Sequence, residues 1–542
     1  MLPASSRLPA GVAAREAIDH ALGDAIGRDD VAAAFHRLIA RIADGDPACE
    51  CVRGAPRALG DAYAARQATL LDPSQVRRVR KHAGLYYTPP ALVDALLCAT
   101  LDPVLDEAER SADPLRAMRA IRVCDPACGA GHFLAEAVRR ISERFAELGG
   151  YPADALDCVF GVDIDPVAAA ICRVSVWLAS GGCGTMPRAV DERIVISDSL
   201  APEMPQPLAA GAFDVVVGNP PFVNGIEGGS TVAAKTAIRS RWPDMAGTLD
   251  LSGAFLRLSA DLVRPGGRIG LIQPLIALSS RSLASFRANP PKGLNPNLIL
   301  IPARSSLFRQ AAVFVCALAL GPGPECVVVQ GDQSRRHARI SGADWWASIS
   351  DSERPPSSVT VGDVFDIRAS MTVGEAYDAA RFVREERPGD TGPKLLTTGL
   401  IDPARCFWGE RPCRYLGETY ARPRFALEPG VSTALERRVE QASRPKILVA
   451  GLSRRIEALV DDCGEYMGAV STFSICHPND DRAALRALCD YLHTDAAHIA
   501  YLANLGAYRV GGGDITMRKA FLKGLALPDG PQKTVCPAAE GS

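Results

Sequence analysis

The chain has 542 residues, 47% of them apolar, 16 cysteines and a formal charge of −2. That length accommodates about three domains with real cores and excludes a disordered protein, while the near-zero charge excludes a globally basic surface. The cysteines are scattered without a CxxC pair, and the longest strongly apolar run, Ala311 to Leu320, is far too short to cross a bilayer, so a cytoplasmic protein without membrane contact is expected.

Residues 1–80 carry helical apolar spacing in VAAAFHRLIARIA and an Ala-rich ALGDAYAARQATLL, which predicts a helical packing or docking region. In GLYYTPPALVDALL, Thr88 precedes Pro89 and Pro90, the pattern of an N-cap with proline in the first turn of a helix. Ile121 to Cys124 then reads as a strand, Asp125 to Gly131 as a glycine turn, and HFLAEAVRRISERFAEL as a helix. This is the first crossover of a nucleotide-binding sheet, and Gly129 and Gly131 give GxG without the third glycine of the dinucleotide pattern. CVFGVDIDP predicts a second strand ending in Asp163, placed to grip ribose hydroxyls, with Asp165 capping the next helix. RIVIS predicts a third strand leading to Asp198, whose carboxylate could accept from an adenine amine. Each aspartate alone also reads as an ordinary turn residue, but three acidic strand ends in register are harder to explain that way.

Phe213 to Phe222, FDVVVGNPPF, predicts a buried strand that stops at Gly218 and leaves a stiff loop at its carboxyl end. Asn219 offers a side-chain carbonyl and Pro220 a main-chain carbonyl to an exocyclic amine. Pro221 locks the backbone, and Phe222 offers a flat face for an unstacked base. A tight turn after a strand is the plainer alternative. An amphipathic helix LDLSGAFLRLSADLVRPGG, a strand RIGLIQP and two strands NLILIPA and AVFVCALAL follow, which predicts a mostly parallel sheet ending in an antiparallel hairpin. The turn-rich GPGPE marks an expected domain boundary, giving segments 1–80, 81–322 and 323–542.

In order, GLYYTPP, DPACGAGHFL, GVDIDP, SDSL, FDVVVGNPPF, LDLSGAFL, PGGRIGLIQP and LFRQAAVFVCAL resemble the gamma-class N6-adenine DNA methyltransferases of restriction-modification systems. The resemblance spans about residues 60–320, and KLLTTGLIDPARCFWG, RPKILVAGL and GAYRVGGGDITMRKAFLKGLALP resemble the target-recognition regions of that family less specifically. It implies an α/β, doubly wound, mostly parallel seven-stranded methyltransferase sheet between a helical N-terminal region and an α+β target-recognition domain. It further implies that Thr88, Asp125, Gly129, Gly131, Asp163 and Asp198 line an S-adenosylmethionine site. Asn219, Pro220, Pro221 and Phe222 would then hold the target adenine, with Phe308 as a second aromatic. His132 and Ser252 depart from the family's usual residues at their positions.

The chemistry so implied is methyl transfer from a sulfonium to a neutral nitrogen, which calls for orientation and desolvation and for no metal. Rival readings are methylation of another amine, in protein glutamine or ribosomal RNA guanine, and a non-catalytic DNA-binding subunit with the same fold. None of the eight lysines has Asp or Glu two positions earlier, so a nuclease using that pair is not expected in this chain. A separately encoded nuclease or specificity subunit remains compatible. Double-stranded DNA is the expected partner, and Ala404 to Arg455 holds eleven basic residues against five glutamates. There Arg411, Arg414, Arg422 and Arg424 alternate with Phe407, Trp408, Tyr415, Tyr420 and Phe425, as on surfaces that combine phosphate and base contacts. The plainer alternative is a solvated face over its own aromatic core. Gly506 to Lys523, with Arg509, Arg518, Lys519 and Lys523, is the second candidate surface.

Overall fold

The computed structural model describes residues 28–43, 58–63, 88–182, 186–222, 232–245, 250–302, 315–331, 333–349, 359–505 and 515–528. Two compact units divide after Ile349.

The first unit is built on β1 (Val123–Asp125), β2 (Val159–Asp163), β3 (Ile194–Ile196), β4 (Phe213–Gly218), β5 (Val263–Pro274), β6 (Asn295–Ile301), β7 (Val315–Gly321), β8 (Cys326–Gln330) and β9 (Gln333–His337). They form one sheet in the order β3-β2-β1-β4-β5-β7-β6-β8-β9. Strands β1 to β5 pair in parallel, and β7 lies antiparallel between β5 and β6. A strand buried on both faces reads as a continuous apolar run, and Val215, Val216 and Val217 of β4 are fully buried.

Helices α1 (Arg28–Ala43), α2 (Pro90–Glu109), α3 (His132–Glu147) and α4 (Pro166–Ala179) contribute to one core cluster, into which β4 sends Val215 and Val217. Alternation along the strand turns Val216 to the other face. Helix α5 (Leu251–Leu262) packs on β4 and β5 with its buried residues outside that cluster, so the sheet is covered twice. Asp165 and Asp250 cap α4 and α5 through their side chains, as short polar residues before proline or an apolar run are expected to.

Two expectations need correction. Among the described residues the sheet has nine strands rather than seven, and the boundary expected near residue 322 falls after Ile349. GPGPE is a turn inside the sheet: Cys326 and Val328, on one face of β8, are buried, and β8 pairs in parallel with β6 while β9 closes on β8. Turn composition marks a change of chain direction and cannot by itself tell a connection within one sheet from a linker.

The second unit contains two four-stranded sheets. One orders Asp366–Ala369, Thr472–Cys476, Lys446–Ala450 and Ala458–Asp461, all antiparallel. The other orders Val383–Glu385, Pro423–Phe425, Lys394–Leu396 and Tyr466–Gly468. Helices Arg482–Leu492 and Asp495–Leu505 complete the α+β composition.

A fragment ending at Ile349 should elute from a sizing column as a soluble species. One ending at Gly321 leaves the β6 edge unpaired and should aggregate, because an uncovered apolar strand recruits other chains. Equal behaviour of the two fragments would contradict the corrected boundary.

Candidate active site

Strand β1 lies between β2 and β4, so the chain leaves β1 in one direction and returns on its other side. Open α/β sheets bind ligands in the crevice at such a switch point. Here its walls are Asp125, the last residue of β1, and Gly218, the last of β4. A Cβ on Gly218 would stand 2.6 Å from Asp125 Oδ1, so only glycine lets that carboxyl lie against the start of the Asn-Pro-Pro-Phe loop.

The glycine turn is fixed from the neighbouring strand. Gly129 and Gly131 both adopt left-handed φ, +51° and +87°, and a Cβ on Gly131 would meet Cys172 Sγ at 2.8 Å. Asp163, at the end of β2, accepts from the Gly129 N–H at 2.7 Å and from the Asp165 N–H at 2.9 Å. Asp163 therefore holds the turn through Oδ2 and its own strand-to-helix loop through Oδ1, and any ribose hydroxyl would take a remaining lone pair. Asp198 is exposed, with Oδ1 accepting from Leu200 N–H at 2.9 Å. Its loop is tied to the Asp125 turn by buried Ser199, whose hydroxyl donates to Pro126 O at 2.6 Å; sequence reasoning gave Ser199 no such role.

In the Asn219 loop, Asn219 Nδ2 donates to Thr88 Oγ1 at 2.9 Å, while Asn219 Oδ1 is buried without a hydrogen-bond partner among the described residues. Thr88 departs from the helix-cap reading. The N-cap of α2 is Pro89, and the buried Thr88 hydroxyl is committed to Asn219. Pro220 is buried and Pro221 half-buried. Phe222 is only 4% exposed and belongs to the core cluster, so in this conformation its ring packs with protein and offers no open face. Phe308 lies outside the described residues. Ser252 is buried and donates to Asp250 Oδ1 at 2.6 Å, which orders the start of α5.

In the second unit the four candidate arginines divide. Arg411 and Arg414 are exposed and donate to main-chain carbonyls, of Gly399 and Gly417. Arg422 and Arg424 both pair with Glu386, and Arg424 is 14% exposed. Two of the interleaved aromatics, Tyr415 and Phe425, are core residues, and Tyr415 donates to Ala376 O at 2.8 Å. Phe407 lies 4.1 Å from the Arg411 guanidinium, and Trp408 4.8 Å from that of Arg422. Gly506 to Asp514 of the second candidate surface lie outside the described residues.

Comparison with known proteins points the same way as the switch-point crevice. The Eco57I restriction-modification methylase family matches residues 157–292, from the start of the β2 region through the Asn219 loop to beyond β5. The adenine-specific methyltransferase PglX of Streptomyces coelicolor is 28% identical over 255 residues, covering 37% of this chain and 20% of PglX. A putative type II restriction enzyme and methyltransferase of Methanocaldococcus jannaschii, RM.MjaORFECS2P, is 34% identical over 99 residues, 15% of this chain and 8% of that protein. The type IIL restriction-modification enzyme MmeI, solved in complex with DNA, superposes with TM-score 0.50 at 13% identity, over 76% of this chain and 64% of that one. The DrdV–DNA complex gives TM-score 0.50 at 12% identity, over 92% and 64%. These two likenesses concern the fold. The chain spans a fifth or less of the length of these two curated relatives, and the match to a restriction-modification methylase family is confined to residues 157–292.

Asp125 is the most perturbed acid of the crevice. Burial, at 1% exposure, pushes its carboxyl up to about 8; a hydrogen bond from the Ala127 N–H opposes this, and the charge of Asp163 adds to it. Burial also raises Asp163, against the N–H donors that hold it. Because the folded value of Asp125 lies above the unfolded value of about 3.9, its contribution to stability is complete below that value and is lost as pH rises through about 8. Asp125→Asn cannot ionise, so without ligand its melting temperature should match wild type near pH 4 and exceed it by several degrees at pH 8. Parallel melting-temperature curves across that range would contradict the assignment.

Proposed function

We propose that the chain is a gamma-class DNA methyltransferase that moves a methyl group from S-adenosylmethionine to N6 of an adenine flipped out of double-stranded DNA. It would be the modification component of a restriction-modification or defence system. The observation that carries the reading is the half-satisfied Asn219 amide. Thr88 fixes its nitrogen and leaves Oδ1 buried at the carboxyl end of β4 with no partner among the described residues. A buried acceptor without a partner costs roughly 1–3 kcal/mol, and a site built to receive an N–H donor is a physical reason to retain it. The adenine-specific relative and the restriction-modification family match support the same substrate class.

The residues of the crevice suit the cofactor. The left-handed Gly129–Gly131 turn lets ligand approach the backbone, Asp163 and Asp198 offer carboxylate oxygens at adjacent strand ends, and Asp125 borders the Asn219 loop. The cofactor, when bound, supplies an electrophilic methyl on a sulfonium. Asn219 Oδ1 accepts one N–H of the target amine and the Pro220 carbonyl the other, drawing the nitrogen lone pair out of the ring and aiming it. Phe222 takes the base only after its ring leaves the core packing seen here, so base entry and rotation of this loop are one event. Flipping the base costs a few kcal/mol, and stacking on an aromatic ring returns about 1–3 kcal/mol.

Asn219→Ala should lower turnover about 100-fold or more, as does loss of one preorganised polar contact elsewhere, with cofactor affinity unchanged. Transfer of tritium from labelled S-adenosylmethionine to unmethylated DNA measures this, and wild-type turnover in the variant would remove the loop from the chemistry.

For DNA contact, exposed Arg411 and Arg414 are the proposed phosphate ligands, and Arg422 and Arg424 hold the second unit's fold through Glu386. Neutralising Arg411 and Arg414 together should flatten the slope of log affinity against log salt by about two units. Neutralising Arg422 and Arg424 should instead lower the melting temperature. An unchanged slope in the first pair would move the DNA-reading surface to the Gly506 to Lys523 segment.

A further inference from the structure

The helical turn at residues 58–63 touches the glycine turn and the starts of the two helices beside it, α3 and α4. Gly60 approaches so closely that a Cβ there would stand 2.8 Å from Ala130 Cβ and 3.0 Å from His132 Cε1. Asp61 Oδ1 lies 3.2 Å from His132 Nε2, at the first residue of α3. Tyr63 donates its hydroxyl to Asp165 Oδ2 at 2.8 Å, and its ring packs edge-on to Phe35 of α1 at 5.1 Å. Asp165 is linked inward: its N–H donates to Asp163 Oδ1, and Asp163 Oδ2 accepts from Gly129 N–H. A continuous chain of hydrogen bonds thus runs from Tyr63 through Asp165 and Asp163 to Gly129, while Asp61 holds the other end of the same turn through His132.

We infer that the turn at residues 58–63 is a positioning element of the cofactor site, with Gly60, Asp61 and Tyr63 setting the conformation of the glycine turn that receives S-adenosylmethionine. The inference rests on the cofactor reading proposed above. The contacts of the three residues run to Ala130, His132 and Asp165, so each acts on the turn through one of these. A turn held in left-handed geometry from both sides loses less freedom when ligand binds, and that pre-organisation appears as affinity. His132, which departs from the residue usual at that position in the resembled family, is explained by the same contact, since an apolar side chain there could not meet Asp61.

The test is calorimetric titration of the full chain with S-adenosylmethionine, beside cofactor KM and kcat on unmethylated DNA. Tyr63→Phe keeps the ring and removes one charge-assisted hydrogen bond. Asp61→Ala removes another, and each should raise the cofactor Kd and KM about five- to tenfold with kcat at saturating cofactor unchanged. Asp61→Asn keeps an acceptor for His132 and should recover most of the loss. Gly60→Ala places a Cβ against Ala130, so cofactor affinity should drop similarly. In cofactor-free protein, the amides of residues 128–132 should exchange hydrogen faster in all three weakened variants. Wild-type binding with all three variants within twofold of it, or a loss in kcat alone, would overturn the inference and leave the cofactor reading intact. No binding by wild type would overturn that reading, and the inference with it.

Discussion

The site depends on a single close approach, that of the Asp125 carboxyl to Gly218 at the switch point of the sheet. A side chain on Gly218 would have to occupy the space of Asp125 Oδ1, so the two strand ends come together only because one of them has no Cβ. Parallel pairing of β1 with β4 sets the distance, and the fully buried valines of β4 hold it. The Asn219 loop begins at the next residue, so its position relative to the glycine turn follows from backbone pairing rather than from any loop contact. That is a rigid platform for a reaction in which geometry supplies much of the rate, of order 7–11 kcal/mol in well-oriented systems.

Around that platform the polar groups are unevenly satisfied. Asp163 has both oxygens on backbone N–H groups, Thr88 is committed to Asn219, and Ser199 to Pro126. Asn219 Oδ1 is left buried and unbonded, and Asp125 is buried with a carboxyl raised to about 8. Local rules of satisfaction and solvation are broken where function requires it. These two breaches flank one crevice, although other buried side-chain atoms, such as Gln273 Oε1 and Trp345 Nε1, also lack partners among the described residues. In the second unit Glu386 pairs with exposed Arg422 and largely buried Arg424, while exposed Arg411 and Arg414 donate only to main-chain carbonyls among the described residues.

Much of the first unit was legible in the sequence because its signals are local. Strand runs such as FDVVVG, the glycine turn before α3 and the Asp165 cap each depend on residues within a few positions of one another. What was not legible depends on distance along the chain. Thr88 has the sequence setting of a helix cap, and only the fold brings Asn219, 131 residues later, within hydrogen-bond reach. The boundary near residue 322 failed because GPGPE carries the same composition in a connection between strands of one sheet as in a linker. Gly60 carried a weak signal, a lone glycine inside a helical pattern, which implies either a cost or a close neighbour. The neighbour, Ala130, could not be named without the structure. In the basic segment, composition alone could not separate Tyr415 and Phe425, which are core, from Phe407 and Trp408, which lie beside arginines.

The central claim, adenine methylation at a specific DNA sequence, is tested most directly in cells lacking adenine methylation of their own. Long-read sequencing of DNA from such cells expressing this chain should find N6-methyladenine confined to one sequence context. Well-expressed, folded protein that leaves every adenine unmodified, or that marks another base, would contradict it.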